Sequence, residues 1–195
     1  MRRIALFVED YAHQQFLGAL LQRLAEESGV SIRLDWRNAR RGHGAVVKEF
    51  KQYLRDVQMQ GDGQPDLIVA ATDANCKGLR ERKNALSGIA QLNDLTIIFA
   101  VPDPHIERWL LVDSSAFKTV FGRGCNAPDQ KCERARYKKM LIDAIRESGI
   151  TPSLGGIEFA KDIVKAMNLE QAARNDASLQ QLLEELNAVF REWQQ

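Results

Sequence analysis

Apolar positions along the first hundred residues alternate between short continuous runs and helically spaced sets. Ile4 to Val8 is an apolar run of strand length and predicts a buried parallel strand. Phe16, Leu17, Leu20, Leu21 and Leu24 follow at helical spacing, and Gly29 is a C-cap candidate for that helix. Val30, Ile32, Leu34 and Trp36 alternate with polar residues, the period of a half-exposed strand near a sheet edge. Arg40 to Gly44 reads as a loop. Val46, Val47, Phe50, Tyr53, Leu54 and Val57 then outline a second amphipathic helix, and Gly61 to Pro65 a turn. A strand over Asp66–Thr72, a helix from about Lys77 to Leu92 and a strand over Leu95–Val101 complete the series.

The order βαβαβαβ predicts an α/β fold, a mostly parallel four-stranded sheet with right-handed crossovers and helices on both faces. After Pro102 the strand pattern stops. Helical spacing returns over His105–Val112 and Glu133–Glu147. A Gly/Pro-rich stretch, Gly149 to Gly156, precedes two final helices. In the last one Leu179, Leu182, Leu183, Leu186, Phe190 and Trp193 share a face. Such a stripe closes a core more often than it forms a homo-oligomer interface. The expected organisation is an α/β core over residues 1–115 and a helical extension over 116–195 packed on it.

Three of the predicted strands run into acids. Val8 leads to Glu9 and Asp10, Ala71 to Asp73-Ala74-Asn75, and Val101 to Asp103 with Glu107 four residues on. Parallel strands share one C-terminal edge, where ligands bind in open α/β sheets. Carboxylates gathered there repel one another unless a cation or a proton intervenes. Hard oxygen ligands point to Mg²⁺ or Mn²⁺ and to phosphoryl transfer or hydrolysis.

Glu after the first strand and Asp73-Ala74-Asn75 after a later one resemble the TOPRIM pattern of a Glu followed by Asp-x-Asp. The stretch from Pro104 through Ile106-Glu107-Arg108-Trp109-Leu110-Leu111 to Asp113 is similar to that of small TOPRIM-like proteins encoded beside ATPases in anti-phage systems of the overcoming-lysogenization-defect type. The resemblance spans roughly residues 4–140. It implies a divalent-metal nuclease acting on DNA or RNA with an ATPase partner. Three positions depart from the pattern. Asn75 stands at the second aspartate, Asp10 follows Glu9 where glycine is usual, and His13 stands where relatives often carry a second acid. Imidazole is a poor Mg²⁺ ligand, so a non-catalytic module that binds the ATPase or nucleic acid is the alternative reading.

Each candidate residue has a functional and a structural reading. Glu9 is a metal ligand or a general acid or base, or else a solvated strand end. Asp10 is a helix-start acid facing the dipole. Asp73 is the leading metal ligand. Asn75 completes the metal shell through its carbonyl or, as we favour, caps the next helix. Lys77 either neutralises a phosphate in the transition state or lies on the helix surface. Asp103 precedes Pro104 and fits an N-cap, which puts Glu107, at i+4, on the same helix face and within reach of the metal. Trp109, Leu110 and Leu111 read as core and Asp113 as a cap. Glycines around Arg40, Arg41 and His43 suit a phosphate-contacting loop, although no Walker spacing is present. Lys138 is a weaker candidate of the same kind.

Composition refines this picture only locally. The 195-residue chain is 45% hydrophobic and 27% charged with a net charge of +1, values ordinary for a globular protein. Seven Lys/Arg between Arg33 and Arg55 face only Asp35 and Glu49, and five between Lys131 and Lys139 face Glu133, an asymmetry that can orient a polyanion. Three cysteines, Cys76, Cys125 and Cys132, have no framework spacing. They read as unpaired thiols in a reducing compartment. With no secretory pattern before Ile4 and no apolar run of membrane length, a cytoplasmic protein without a membrane partner is expected.

Overall fold

The structure, a computed structural model, describes residues 1–39, 42–59, 61–90, 95–133 and 135–194, without the side chains of 42–45 and 62. Its centre is a four-stranded parallel sheet of β1 (Arg2–Val8), β2 (Ile32–Asn38), β3 (Leu67–Ala71) and β4 (Ile97–Ala100), in the order β2-β1-β3-β4. β2 is an edge strand, as its alternation predicts, and it is the least buried of the four. β1 and β3 are buried on both faces, which is why they read as continuous apolar runs.

Odd and even strand positions feed two cores. Ile4, Leu6, Val8, Leu67, Val69 and Ala71 face α1 (Tyr11–Ser28) and the helices of the second half of the chain. Ala5, Phe7, Ile68 and Ala70 face α2 (Gly42–Met59) and α3 (Leu79–Ala90) through Val46, Phe50, Leu54 and Leu86. α1 ends at Gly29, whose φ of 65° is the left-handed conformation of a glycine C-cap. Within α1 a Cβ on Gly18 would lie 2.4 Å from the Trp36 ring, so glycine lets the edge strand's indole rest on this helix.

The second half is entirely helical among the described residues: α4 (Ile106–Trp109), α5 (Ser114–Phe121), α6 (Arg136–Arg146), α7 (Ala160–Ala166), α8 (Leu169–Asn175) and α9 (Ala177–Trp193). Three helices, not two, follow the Gly/Pro-rich stretch. Asp176 divides the last two by capping α9 through the Leu179 amide at 2.9 Å. Leu179, Leu182, Leu183, Leu186 and Phe190 are all buried, so the α9 stripe closes the core.

One expectation near the sheet edge fails. Asp103 does not cap the following helix, because the chain becomes helical only at Ile106, three residues on. α4 is a single turn with His105 at its N-cap, so the i+4 relation between Asp103 and Glu107 is not helical. The turn is supported from below. The Asp103 amide donates to Ser178 Oγ at 3.2 Å. Trp109 Nε1 donates to Ser178 Oγ and Asp176 Oδ1, and Arg108 forms a buried ion pair with Asp176.

Candidate functional site

The register aligns Val8 with Ala71, and Ala71 with Ala100, so the residues following three strands emerge at one edge. β2 lies on one side of β1 and β3 on the other, which makes the β1/β3 boundary the topological switch point where open sheets form a crevice. Glu9 and Asp73 meet there. Glu9 Oε2 accepts from Thr72 Oγ1 at 2.5 Å and from the Asp73 amide at 3.2 Å. The Glu9 amide donates back to Ala71 at 3.0 Å.

Asp73 is the hub. Its Oδ2 lies 3.0 Å from His105 Nδ1, and its Oδ1 accepts the Ile106 amide at 2.9 Å. His13 Nε2 approaches the same Oδ1 to 3.2 Å. That contact has the distance of an ion pair without hydrogen-bond alignment, since His13 Nε2 has no aligned partner. On its other side His13 Nδ1 sits 2.8 Å from Asp10 Oδ1, and Asp10 also caps α1 through the His13 amide. The result is an alternating row Asp10–His13–Asp73–His105, sealed at His13 (0% exposed) and reaching solvent at both ends, at Asp10 (54%) and at His105 (16%).

The charges in this row hold one another. Burial alone would lower the His13 pKa, but Asp73 and then Asp10 overcome it and raise it to about 10. Burial pushes Asp73 upward, yet His13 and His105 bring it down to about 2. Asp10 is lowered through its hydrogen bond to His13 against its own burial. The hydrogen bond to Asp73 raises His105 against burial. Glu107 on α4 is raised by burial and further by Asp73. Among the described residues His105 Nε2 has no hydrogen-bond partner, so it is the nitrogen left for chemistry.

The other expected residues are distributed as follows. Asn75 does not cap a helix side-chain-first. It takes a left-handed φ of 52°, donates its amide to Pro104 O at 2.9 Å, and its Nδ2 reaches Asp73 O at 3.3 Å. Asn tolerates that conformation better than most residues. Lys77 is exposed and ion-paired with Glu81 at 3.1 Å. Lys138 is exposed on α6 beside Gly155. Arg40, Arg41 and the His43 side chain lie outside the described residues. Asp113 caps α5 through Ser115 and Ala116, as expected. Trp109, Leu110 and Leu111 are buried.

The unpaired-thiol expectation is corrected for two cysteines. Cys76 and Cys132 form a disulfide with Cα atoms 5.3 Å apart, and Cys125 alone is free. The bridge ties the turn after Asp73 to the loop before α6. Tyr137 on α6 places its ring 6.0 Å from that of His105, and its hydroxyl is shared between the Asp129 and Lys131 carbonyls. Sequence separation hid this pairing: the partners stand 56 positions apart and meet only once β3 and α6 are assembled. His105 was missed as well, although it stands inside the Pro104–Asp113 motif. Its only signal was a titratable ring next to the strand edge.

In this arrangement the residues do not fit a ready metal centre. Among the described residues no three His, Cys, Asp or Glu side chains converge as ligands of one ion. The Asp73 charge is already met by two imidazoles. The assembled groups suit proton transfer better, a carboxylate-oriented imidazole beside a partly buried carboxyl.

The fold and site thus define an α/β protein with a carboxylate–histidine cluster at the switch point of a parallel sheet. The chain belongs to the DUF4276 family, whose model, described as Domain of unknown function (DUF4276), matches residues 8–187. No curated protein and no solved structure matches it. No helix among the described residues is long and apolar enough to cross a membrane.

Proposed function

We propose that this protein hydrolyses phosphodiester bonds of DNA or RNA at the Asp73–His105–Glu107 edge. One observation carries the reading: Asp73 fixes His105 by Nδ1 while His13 holds Asp73 from behind, leaving His105 Nε2 as a positioned proton carrier. The raised His105 keeps a proton to give to the leaving oxygen. The raised Glu107 is a stronger base than a solvated carboxylate and takes a proton from the attacking water. Glu9 fixes the loop through Thr72 and the Asp73 amide. The TOPRIM resemblance supports nucleic acid as substrate, an ATPase as partner and a cytoplasmic anti-phage role. It also implies Mg²⁺ or Mn²⁺, and no step here is routed through a metal.

The test is cleavage of plasmid, single-stranded DNA and total tRNA by purified protein, with Mg²⁺, Mn²⁺ or chelator, with and without a candidate ATPase partner. Cutting lost in His105→Ala and Glu107→Gln supports the reading, and persistence in chelator separates acid–base from metal chemistry. Cutting that both variants retain refutes the assignment.

A non-catalytic binding module is favoured by a different observation. Asp73 is engaged by His13, His105 and Ile106, and Lys77 by Glu81, so the edge is satisfied without a ligand. Absence of cleavage under every condition, with ATPase binding intact, selects that reading.

A further inference from the structure

α2 carries Lys48, Lys51 and Arg55 at i, i+3 and i+7, which places them on one helix face. All three are exposed. None has an anionic partner among the described residues, in contrast to Arg2, Arg3 and Arg33, which are paired with Asp66 or Asp35. The same face borders a groove of about 560 Å³ lined by Lys48, Glu49, Lys51, Gln52 and Arg55. Arg37, exposed at the end of β2, flanks α2 near Tyr53. The anions nearby are Glu49 and Asp56, and Asp56 accepts a hydrogen bond from Gln52. Four cations against two anions leave the face positive.

We propose that this face of α2 is a track for the phosphate backbone of a nucleic acid, leading to the edge that holds Asp73 and His105. It takes its substrate class from the hydrolysis reading above. The geometry fits that occupant. Lys48 to Arg55 spans about 10 Å at 1.5 Å per residue, about three nucleotides of one strand at 3.4 Å each. The chain leaves β2 for α2 at the strand-end edge, where the Ala39 amide donates to Val8 O at 2.8 Å. Lys48 then lies about 9 Å from the helix start, with Lys51 and Arg55 further back. A polyanion lying along the row would arrive at the strand ends. A separated set of cations contacts phosphates without reading bases, so the track carries affinity and orientation and no sequence preference.

The test is fluorescence anisotropy with a labelled single-stranded 30-mer and its duplex between 50 and 300 mM salt. It compares the wild-type chain, a Lys48→Gln/Lys51→Gln/Arg55→Gln triple variant, and a control that removes equal charge from the other face, Lys118→Gln/Lys161→Gln/Lys165→Gln. Circular dichroism verifies folding of each. Three lost phosphate contacts on a single strand make the slope of log K against log salt shallower by about two and weaken binding about a hundredfold at 0.1 M salt. The control stays within a few-fold of wild type. An unchanged slope in the α2 variant, equal loss in the control, or no binding by the wild-type chain overturns the track. Stronger capture by anionic vesicles than by the 30-mer, lost in the same variant, reassigns the face to a membrane surface and also overturns it. His105→Ala separates the two proposals. Binding retained with cleavage lost supports both, whereas track-dependent binding with no wild-type cleavage removes the hydrolysis reading and leaves the track standing.

Discussion

The His13–Asp73 pair is buried and titratable, and its titration gives a sharp test. His13 carries a proton affinity near pH 10 in the folded chain against an ordinary 6.5. A raised group stabilises fully below its unfolded pKa and loses that contribution as pH climbs through the folded one, so the window runs from about pH 6.5 to 10. Asp73, lowered from 3.8 to about 2, works in the opposite sense: its contribution is present above about pH 4 and lost as pH falls through 2. At about 1.4 kcal/mol per tenfold change in proton affinity, the His13 displacement corresponds to about 5 kcal/mol and that of Asp73 to about 2. Both figures are net of burial, and each group answers to a second partner, Asp10 for His13 and His105 for Asp73. We take the smaller figure as the worth of the pair. Urea unfolding should therefore show the wild-type chain losing at least about 2 kcal/mol between pH 6.5 and 9.5. His13→Gln should be destabilised by about 3 kcal/mol at pH 6.5, because a buried carboxylate loses one of its two imidazole partners, and should lose most of the alkaline slope. His105 contributes a remainder to that slope, since it too is raised by Asp73. Equal wild-type stability at pH 6.5 and 9.5, or an undiminished slope in His13→Gln, would refute the reasoning.

Three further outcomes follow from other parts of the molecule. Asp176→Ala strands the buried Arg108 and removes the α9 cap and a Trp109 acceptor, so chemical denaturation should register a loss of about 3–5 kcal/mol. Asp176→Asn, which keeps an acceptor, should lose less. Gly156 has a φ of 93°, and a Cβ there would lie 2.6 Å from Ile145 Cδ1 and 2.9 Å from Leu141 Cγ; Gly156→Ala should cost about 1–3 kcal/mol in the same assay, with retained stability counting against the packing argument. Joining Cys76 to Cys132 closes a loop across a sequence separation of 56, so by chain entropy the double Cys→Ser variant should be less stable by up to about 4 kcal/mol. Equal unfolding midpoints for that variant and the wild-type chain would show that the bridge does not restrain the unfolded state.

The sheet was legible because its strands differ in burial in a way that composition records. β1 from Ile4 onward and all of β3 are covered on both faces and contain nothing polar, while β2 is at the edge and alternates. The acids at the strand ends could be placed on one edge from parallel connectivity alone, and Glu9 and Asp73 do share a hydrogen-bonded loop there. What could not be read was contact made by a turn. Asp103 and Pro104 look like the start of a helix, yet the chain becomes helical only at Ile106 and brings His105 to Asp73. Asn75 looks like a cap because asparagine favours caps, yet the same short side chain also tolerates the left-handed backbone, and here the second property decides. The disulfide and the Arg108–Asp176 pair join positions 56 and 68 apart, separations over which periodicity carries no information.

His13 connects these findings to the chemistry. Four residues after Glu9, on the first turn of α1, a side chain of this length must point back over the strand ends, since helical side chains tilt toward the N-terminus. An acid at that position would add a third negative charge beside Glu9 and Asp73 and would require a cation from solution. Imidazole reverses the sign. It is wholly buried, spans Asp10 and Asp73, and keeps its proton near neutral pH. The edge thereby contains its own counter-charge, and Asp73 is ionised and fixed before any ligand arrives. A pre-ionised, immobilised carboxylate is what a neighbouring imidazole needs to be held in one orientation, and with His13 behind it Asp73 holds His105 through Nδ1.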